Sequence, residues 1–325
     1  MRRRNFIAGI TGLAAAWPLA VRAQQRAKLP RVGALVSATP PHPFADAVGR
    51  GLQRLGYTDG RNIMLEFHYS EGRRERAAEI AADLVRRQAD VIVAHLTPAV
   101  TAALAATRTI AIVMAPAGAP LQSGFINSLA HPGGNVTGLS NMDAEIGGKR
   151  LQLFKELIPN LSRVGVLGTR VATDPFSTPF IEDLRSAAAQ SGLTLVPMLV
   201  SGPEEFEAAF ETMAKTGVQA VIVQGFFDPY RARLIPLQMK YRLVYMSPSR
   251  DTTVAGALVS LSSDYVLLYE RAAVYIDKIL KGANPGELPV EQPTKFQAVV
   301  NLKTARDLGL TISSLLVAQI DEAIE

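Results

Sequence analysis

An internal repeat constrains the fold more than any other feature of this chain. Arg31-Val32-Gly33-Ala34-Leu35 returns as Arg163-Val164-Gly165-Val166-Leu167. Val91-Ile92-Val93 returns as Val221-Ile222-Val223, and Met114-Ala115-Pro116 returns as Met246-Ser247-Pro248. The spacings within the two copies nearly agree, so the chain reads as two similar units in tandem. Each copy alternates short apolar runs with helix-period stretches. The runs fall at 31–36, 63–69, 90–95, 109–114, 163–168, 194–200, 220–224 and 243–246. The helical stretches fall at 44–55, 75–88, 99–106, 144–157, 176–191, 204–216, 230–241 and 265–281. Continuously apolar strands suit a parallel sheet covered on both faces, and strand–helix alternation predicts an α/β fold. The expected architecture is two doubly wound parallel-sheet lobes with a hinge.

The expected division places an N-terminal lobe at 31–134 plus 263–282, a C-terminal lobe at 135–262, and a crossover and C-terminal segment at 283–325. The turn-rich stretch His131–Gly138 joins the lobes. The long amphipathic helix Tyr265–Lys281 is expected to rejoin the first lobe.

Residues 1–23 read as a cleaved export signal. Met1-Arg2-Arg3-Arg4-Asn5-Phe6-Ile7 is a basic start, Ile7–Ala20 is apolar, and Val21-Arg22-Ala23 places small residues at −3 and −1 before Gln24. Arg3-Arg4 followed by Phe6-Ile7 fits the twin-arginine type. The apolar stretch is shorter than the roughly 20 residues of a membrane span. The chain's formal net charge is +5. The four arginines of residues 1–23, which hold no acid, account for most of it and leave +1 beyond them. A basic nucleic-acid surface is therefore not expected. The absence of Cys removes disulfides, thiolate metal sites and a Cys nucleophile.

Catalytic signatures are missing. There is no phosphate-binding glycine loop after a strand, no nucleophile elbow and no His-Glu-x-x-His. No cofactor or metal site is expected, and an exported enzyme is disfavoured because no nucleophile–base set can be assembled. Ligands of parallel α/β sheets bind beyond the carboxyl ends of the strands. Two facing lobes put two such rims across a cleft. The candidate ligand-binding residues are Ser37, Thr39, His95, Thr97, Pro98 and Gly118 on one rim. On the other they are Arg170, Asp174, Gln224, Phe226, Asp228 and Asp251. Hydroxyls and free amides at helix starts suit a small anion, and the aspartates suit an ammonium group. Thr97, Asp174 and Asp228 also read as helix N-caps. His95 reads first as a packed strand-end residue, and Phe226 reads equally as core.

Several runs resemble one known family. They are Gly51-Leu52-Gln53-Arg54-Leu55-Gly56-Tyr57, Thr97-Pro98-Ala99, Gly133-Gly134-Asn135-Val136-Thr137-Gly138 and Glu291-Gln292-Pro293-Thr294-Lys295-Phe296. Together they make the chain similar to the periplasmic substrate-binding components of ABC transporters, in the tryptophan/tyrosine-binding-like group. That resemblance implies a type I periplasmic-binding-protein-like fold. It also implies a monomer that captures a small-molecule solute, an amino acid or a small carboxylate or aromatic acid. The implied partners are the ABC permease and ATPase subunits of the inner membrane. A ligand sensor for a membrane signalling partner is the alternative with the same fold. Family members usually carry Gly-Asp-Pro where this chain has Gly118-Ala119-Pro120. Many carry Asn-Pro near Arg170–Asp174, where Arg170 is expected to favour an anionic ligand.

Overall fold

A computed structural model describes residues 29–170 and 174–325. The export signal expected at 1–23 lies outside the described residues. Among these residues no helix is long and apolar enough to cross a membrane.

The first lobe contains β1 (Arg31–Val36), α1 (Phe44–Arg54), β2 (Met64–Tyr69), α2 (Arg74–Arg86), β3 (Val91–His95), α3 (Leu96–Ala106), β4 (Ala111–Ala117) and β5 (Val136–Ser140). Its sheet runs β2-β1-β3-β4-β5 and is wholly parallel. The second lobe begins with α4 (Gly147–Leu157), β6 (Arg163–Thr169), α5 (Ser177–Gln190), β7 (Thr194–Val200) and α6 (Phe206–Lys215). It continues with β8 (Ala220–Val223), α7 (Arg231–Tyr241), β9 (Val244–Ser247), α8 (Arg250–Val254) and β10 (Val259–Ser263). The chain then returns to the first lobe as α9 (Tyr265–Leu280). It ends on the second lobe with β11 (Phe296–Asn301), α10 (Leu302–Leu308), α11 (Ser314–Gln319) and β12 (Glu322–Ile324). The second sheet runs β12-β11-β10-β9-β8-β6-β7, and only the β10–β11 pair is antiparallel. This is an α/β fold of two lobes, of the type I periplasmic-binding-protein kind.

The repeated glycine has a packing role in both lobes. A Cβ on Gly33 would sit 2.3 Å from Leu84 of α2, and a Cβ on Gly165 would sit 2.3 Å from the Met213 sulfur of α6. Each glycine lets the covering helix settle directly on the first strand of its sheet. The apolar strands around them are buried on both faces, which splits each lobe's core into one cluster per face.

Two details differ from the sequence reading. Val136–Ser140, assigned to the second lobe, is the edge strand of the first sheet. It pairs Ile112 with Val136, and the Asn135 amide holds the Ile110 carbonyl at 2.8 Å. Backbone donors on a freed edge need partners, and β4 supplies them on one side. The other side meets the returning segment, where Glu291 N donates to Gly138 O at 3.0 Å and Ser140 N to Glu291 O at 2.9 Å. The C-terminal stretch Ser314–Ile324, whose apolar pattern predicts a helix throughout, is helical only to Gln319. Glu322–Ile324 then pairs with β11.

Helix α9 joins the first lobe's core. Leu268, Tyr269, Ala272, Ala273 and Ile276 pack with Phe44, Val48 and Leu52 of α1. The contact is close because Gly51 faces it: a Cβ there would lie 2.4 Å from the Glu270 carbonyl oxygen. Arg50 and Arg54 clasp the Glu270 carboxylate at 2.9 and 2.6 Å. The chain thus crosses between lobes after β5, between β10 and α9, and before β11.

Candidate functional site

The interlobe cleft is a cavity of about 210 Å³. The first lobe gives it the β1–α1 loop with Ser37, Thr39, Pro41 and His42, and the β3 end with His95. The second gives the Gly225–Tyr230 turn with Asp228 and Pro229, then Arg231, and the β9–α8 loop with Pro248, Ser249, Arg250 and Asp251. The β10–α9 crossover adds Ser262, Ser263, Asp264, Tyr265 and Tyr269. Of the residues expected from sequence, Ser37, Thr39, His95, Asp228 and Asp251 share this cavity. Thr97, Pro98, Asp174, Gln224 and Phe226 line a second hollow of about 20 Å³ beside it.

The floor of the larger cavity is aromatic. The His95 ring lies 5.1 Å from His42, 5.1 Å from Phe44 and 5.4 Å from Tyr269, centre to centre. His95 Nε2 and the Tyr269 hydroxyl are 3.0 Å apart. Burial pushes the His95 pKa well below its usual range, with His42 a lesser cause. Burial also lowers His42 to about 4, despite the opposing pull of Asp251. Phe44 N donates to His42 Nδ1 at 3.3 Å, which leaves the proton of that neutral ring on Nε2. Ser37 Oγ, Ser263 Oγ and His95 Nδ1 are buried without a partner among the described residues.

The charged groups are unequal. Asp228 accepts from Thr252 Oγ1 at 2.5 Å and from Ser249 Oγ at 3.1 Å, and Arg231 stands 4.0 Å away. Burial nonetheless raises its pKa, because desolvation outweighs those bonds. Arg250 is turned outward into a two-pronged pair with Glu322 at 2.7 and 2.6 Å. Asp264 caps α9, accepting from Leu267 N at 2.9 Å. The Asp251 carbonyl accepts from Ala255 N at 3.0 Å, but its carboxylate makes no hydrogen bond or ion pair among the described residues. Along the cavity lining the acids Asp228, Asp251 and Asp264 outnumber the cations Arg231 and Arg250, and Arg250 is already paired with Glu322, so the lining is net anionic.

Four expected roles change. Arg170 is not in the cleft. One residue beyond β6, it finds its acceptors on the neighbouring edge strand, where Nε donates to Leu199 O at 3.0 Å and the guanidinium pairs with exposed Glu205. Thr97 is not an N-cap, since it lies inside the first turn of α3; its hydroxyl accepts from Gly118 N at 3.2 Å and ties β4 to α3. Gly118 itself is covered: a Cβ there would come within 2.3 Å of the Phe176 ring. Asp228 lies within a 3-10 turn and holds α8, not the start of α7. Asp174 does serve its helix start, accepting from Phe176 N and Ser177 Oγ at 3.1 Å each, and also receives Gln224 Nε2 at 3.2 Å.

The residues that sequence reasoning missed are His42, Arg231, Ser263, Tyr265 and Tyr269. The usable signal was the expected return of the 265–281 helix to the first lobe, which brings the start of that helix to the cleft.

A family model described as ABC transporter substrate binding protein matches residues 34–324. The chain belongs to this family, whose members bind solutes outside the cytoplasm and are not enzymes. A tyrosine-binding protein of Clostridioides difficile is 26% identical over 280 residues, covering 85% of this chain and 80% of that one. An ABC domain from Streptococcus pneumonia in complex with L-Trp aligns with a TM-score of 0.83 and 25% identity. It covers 91% of this chain and 100% of its own. A conserved domain protein from Vibrio cholerae aligns with a TM-score of 0.84, 26% identity and the same coverage.

Proposed function

We propose that this protein is the solute receptor of an ABC importer and that it binds a single amino acid, with an aromatic side chain favoured, in the interlobe cleft. The observation that carries the reading is the unpartnered Asp251 carboxylate in the same cavity as the rings of His42, Tyr265 and Tyr269. A carboxylate with no protein partner is free to take an ammonium group. Arg231 is the cation available to a carboxylate, and the rings and prolines suit an apolar or aromatic side chain. Buried Ser37 and Ser263 hydroxyls without partners add hydrogen-bonding capacity that a ligand or water would meet. The cavity's volume suits one amino acid better than a peptide. The tyrosine- and L-Trp-binding relatives support the same class.

Ligand bridging both rims favours the closed form, which presents the surface that a permease and its ATPase read. It shifts that equilibrium only as far as it binds the closed state better. Delivery to the periplasm through residues 1–23 completes the reading. A thermal-shift screen of the protein from Gln24 onward tests it, using L-tryptophan, L-tyrosine, the other amino acids and aromatic acids lacking an amino group. An amino acid at 100 times its dissociation constant adds about 2.7 kcal/mol of stability. A screen in which only the acids without an amino group stabilise the protein overturns the amino-acid reading.

A further inference from the structure

The lobes also meet away from the large cavity. Arg74 is the first residue of α2 in the first lobe, yet its side chain reaches across to the second. Its Nη2 donates to Thr169 Oγ1 at 3.2 Å and lies 3.6 Å from the Asp174 carboxylate. Its guanidinium carbon stands 5.0 Å over the Phe226 ring. These second-lobe groups are fixed before Arg74 arrives. Asp174 Oδ2 accepts from Gln224 Nε2, Gln224 Oε1 accepts from Thr169 N at 2.9 Å, and the single Ser177 hydroxyl proton is shared between Asp174 Oδ2 and Gln224 Oε1 at 3.1 and 3.0 Å. The Asp174 side chain is 2% exposed and the Arg74 side chain 24%. Alongside, Gly72 packs on Tyr230 of the second lobe, where a Cβ would meet its hydroxyl at 3.2 Å.

We propose that Arg74 is an interlobe latch that sets affinity for solute without touching it. Arg74 does not line the cavity assigned to the ligand, and Thr169, Asp174 and Phe226 lie across a gap that must widen when the lobes part. Opening would part the Arg74 guanidinium from Asp174, Thr169 and Phe226, so the closed form alone gains that charge-assisted pairing and the ring contact. The latch therefore raises the closed fraction of the ligand-free protein, and apparent affinity scales with that fraction. The guanidinium is suited to the place because it combines a planar face for Phe226 with directional donors for Thr169 and Asp174. That Arg74 stays clear of the solute rests on the proposed function, which puts the ligand in the larger cavity.

The chain has no Cys, so one labelled pair reports the lobe distance directly. Ala78→Cys on α2 and Ala232→Cys on α7, both exposed alanines, carry donor and acceptor dyes. In ligand-free protein, Arg74→Ala and Arg74→Gln are expected to move the distance distribution toward the open form. Arg74→Lys is expected to fall between them and the parent. Titration with L-tryptophan and L-tyrosine is expected to show about tenfold weaker binding for Arg74→Ala, the usual worth of a hydrogen bond to a charged group. The loss should be the same factor for both ligands and should match the lost closed fraction. An unchanged distance distribution in both the Ala and Gln variants overturns the latch. So does a loss of affinity that differs between the ligands, which would place Arg74 in contact with solute. The ligand-free measurement decides the latch even if neither amino acid binds, an outcome that counts against the proposed function instead.

Discussion

The Tyr269 hydroxyl and His95 Nε2 lie 3.0 Å apart at the floor of the cleft. His95 ends β3, while Tyr269 sits on the helix that returns from the second lobe. This bond and the packing of Phe44 against both rings, with centroids 5.1 and 4.9 Å away, join the crossover helix to the strand-end rim. A displacement at the crossover is thus felt at the floor of the cleft.

Tyr269→Phe keeps the ring and deletes that bond. His95 Nδ1 already lacks a partner among the described residues, so the variant leaves both ring nitrogens of a buried histidine unmet. The expected cost is about 1–3 kcal/mol. Urea unfolding checks it, as a lower midpoint with an unchanged slope.

Gly51→Ala tests how closely α1 and α9 pack. In an ordinary helix interior the change gains about 1 kcal/mol. Here the added methyl would sit 2.4 Å from the Glu270 carbonyl and 2.8 Å from the Ala273 Cβ, so two helices must separate. Overpacking of this kind costs about 1–3 kcal/mol, and backbone atoms cannot swing aside as a side-chain end can. The variant is expected to be destabilised, and more so than Gly33→Ala, whose obstacle is the movable tip of Leu84. Equal midpoints for the two variants would contradict this packing argument.

Most of the fold was legible because its signals are local and repeated. The Arg-Val-Gly start of β1 and β6, the apolar triplets of β3 and β8, and the length of α9 each carry a clear period. What stayed hidden depends on distant partners. Val136–Ser140 is brief, and only the β4 edge decides which sheet it joins. Val259–Ser263 is rich in serine and counts as a strand only because β9 and β11 flank it. At the site, position past a strand end picked out Ser37, His95, Asp228 and Asp251, which line one cavity. The same rule misplaced Arg170, because it gives a residue's position and not the acceptor nearest to it. Tyr265 and Tyr269 reach the cleft from a helix start, so the strand-end rule cannot find them.

His42 gives a pH signature. Its pKa falls from 6.5 to about 4, chiefly through burial. Between these values the unfolded chain binds a proton that the folded chain refuses, so the stability this histidine permits is full above 6.5 and falls as pH drops toward 4. The loss is at most about 3 kcal/mol. An NMR titration should place the His42 ring near 4, and His42→Gln should flatten the stability curve between pH 6.5 and 4 relative to the parent. A midpoint near 6.5 would show that the ring is not desolvated.

Export is tested by changing Arg3 and Arg4 together to Lys. The twin-arginine reading expects precursor to accumulate and no processed protein starting at Gln24 to reach the periplasm. Cell fractionation with N-terminal sequencing reads both. Normal processing of the double variant assigns the chain to the general secretory route.

Asp251→Asn is the sharpest test of the site. The carboxylate has no hydrogen bond or ion pair among the described residues and lies on an exposed helix start. Its loss should therefore change folding stability by no more than about 0.5 kcal/mol. If an ammonium group binds there, removing the charge deletes a charge-assisted bond worth about 1.5–3 kcal/mol, which is roughly a 10- to 150-fold loss of affinity. Calorimetric titration with L-tryptophan or L-tyrosine reads the loss. The same ligands without their amino groups supply the control, since binding of those should be indifferent to the substitution. Equal losses for both kinds of ligand would mean that Asp251 shapes the cavity and does not receive the ammonium. Affinity unchanged for the amino acids would move the ammonium site to Asp228 or Asp264, the remaining carboxylates of the cavity.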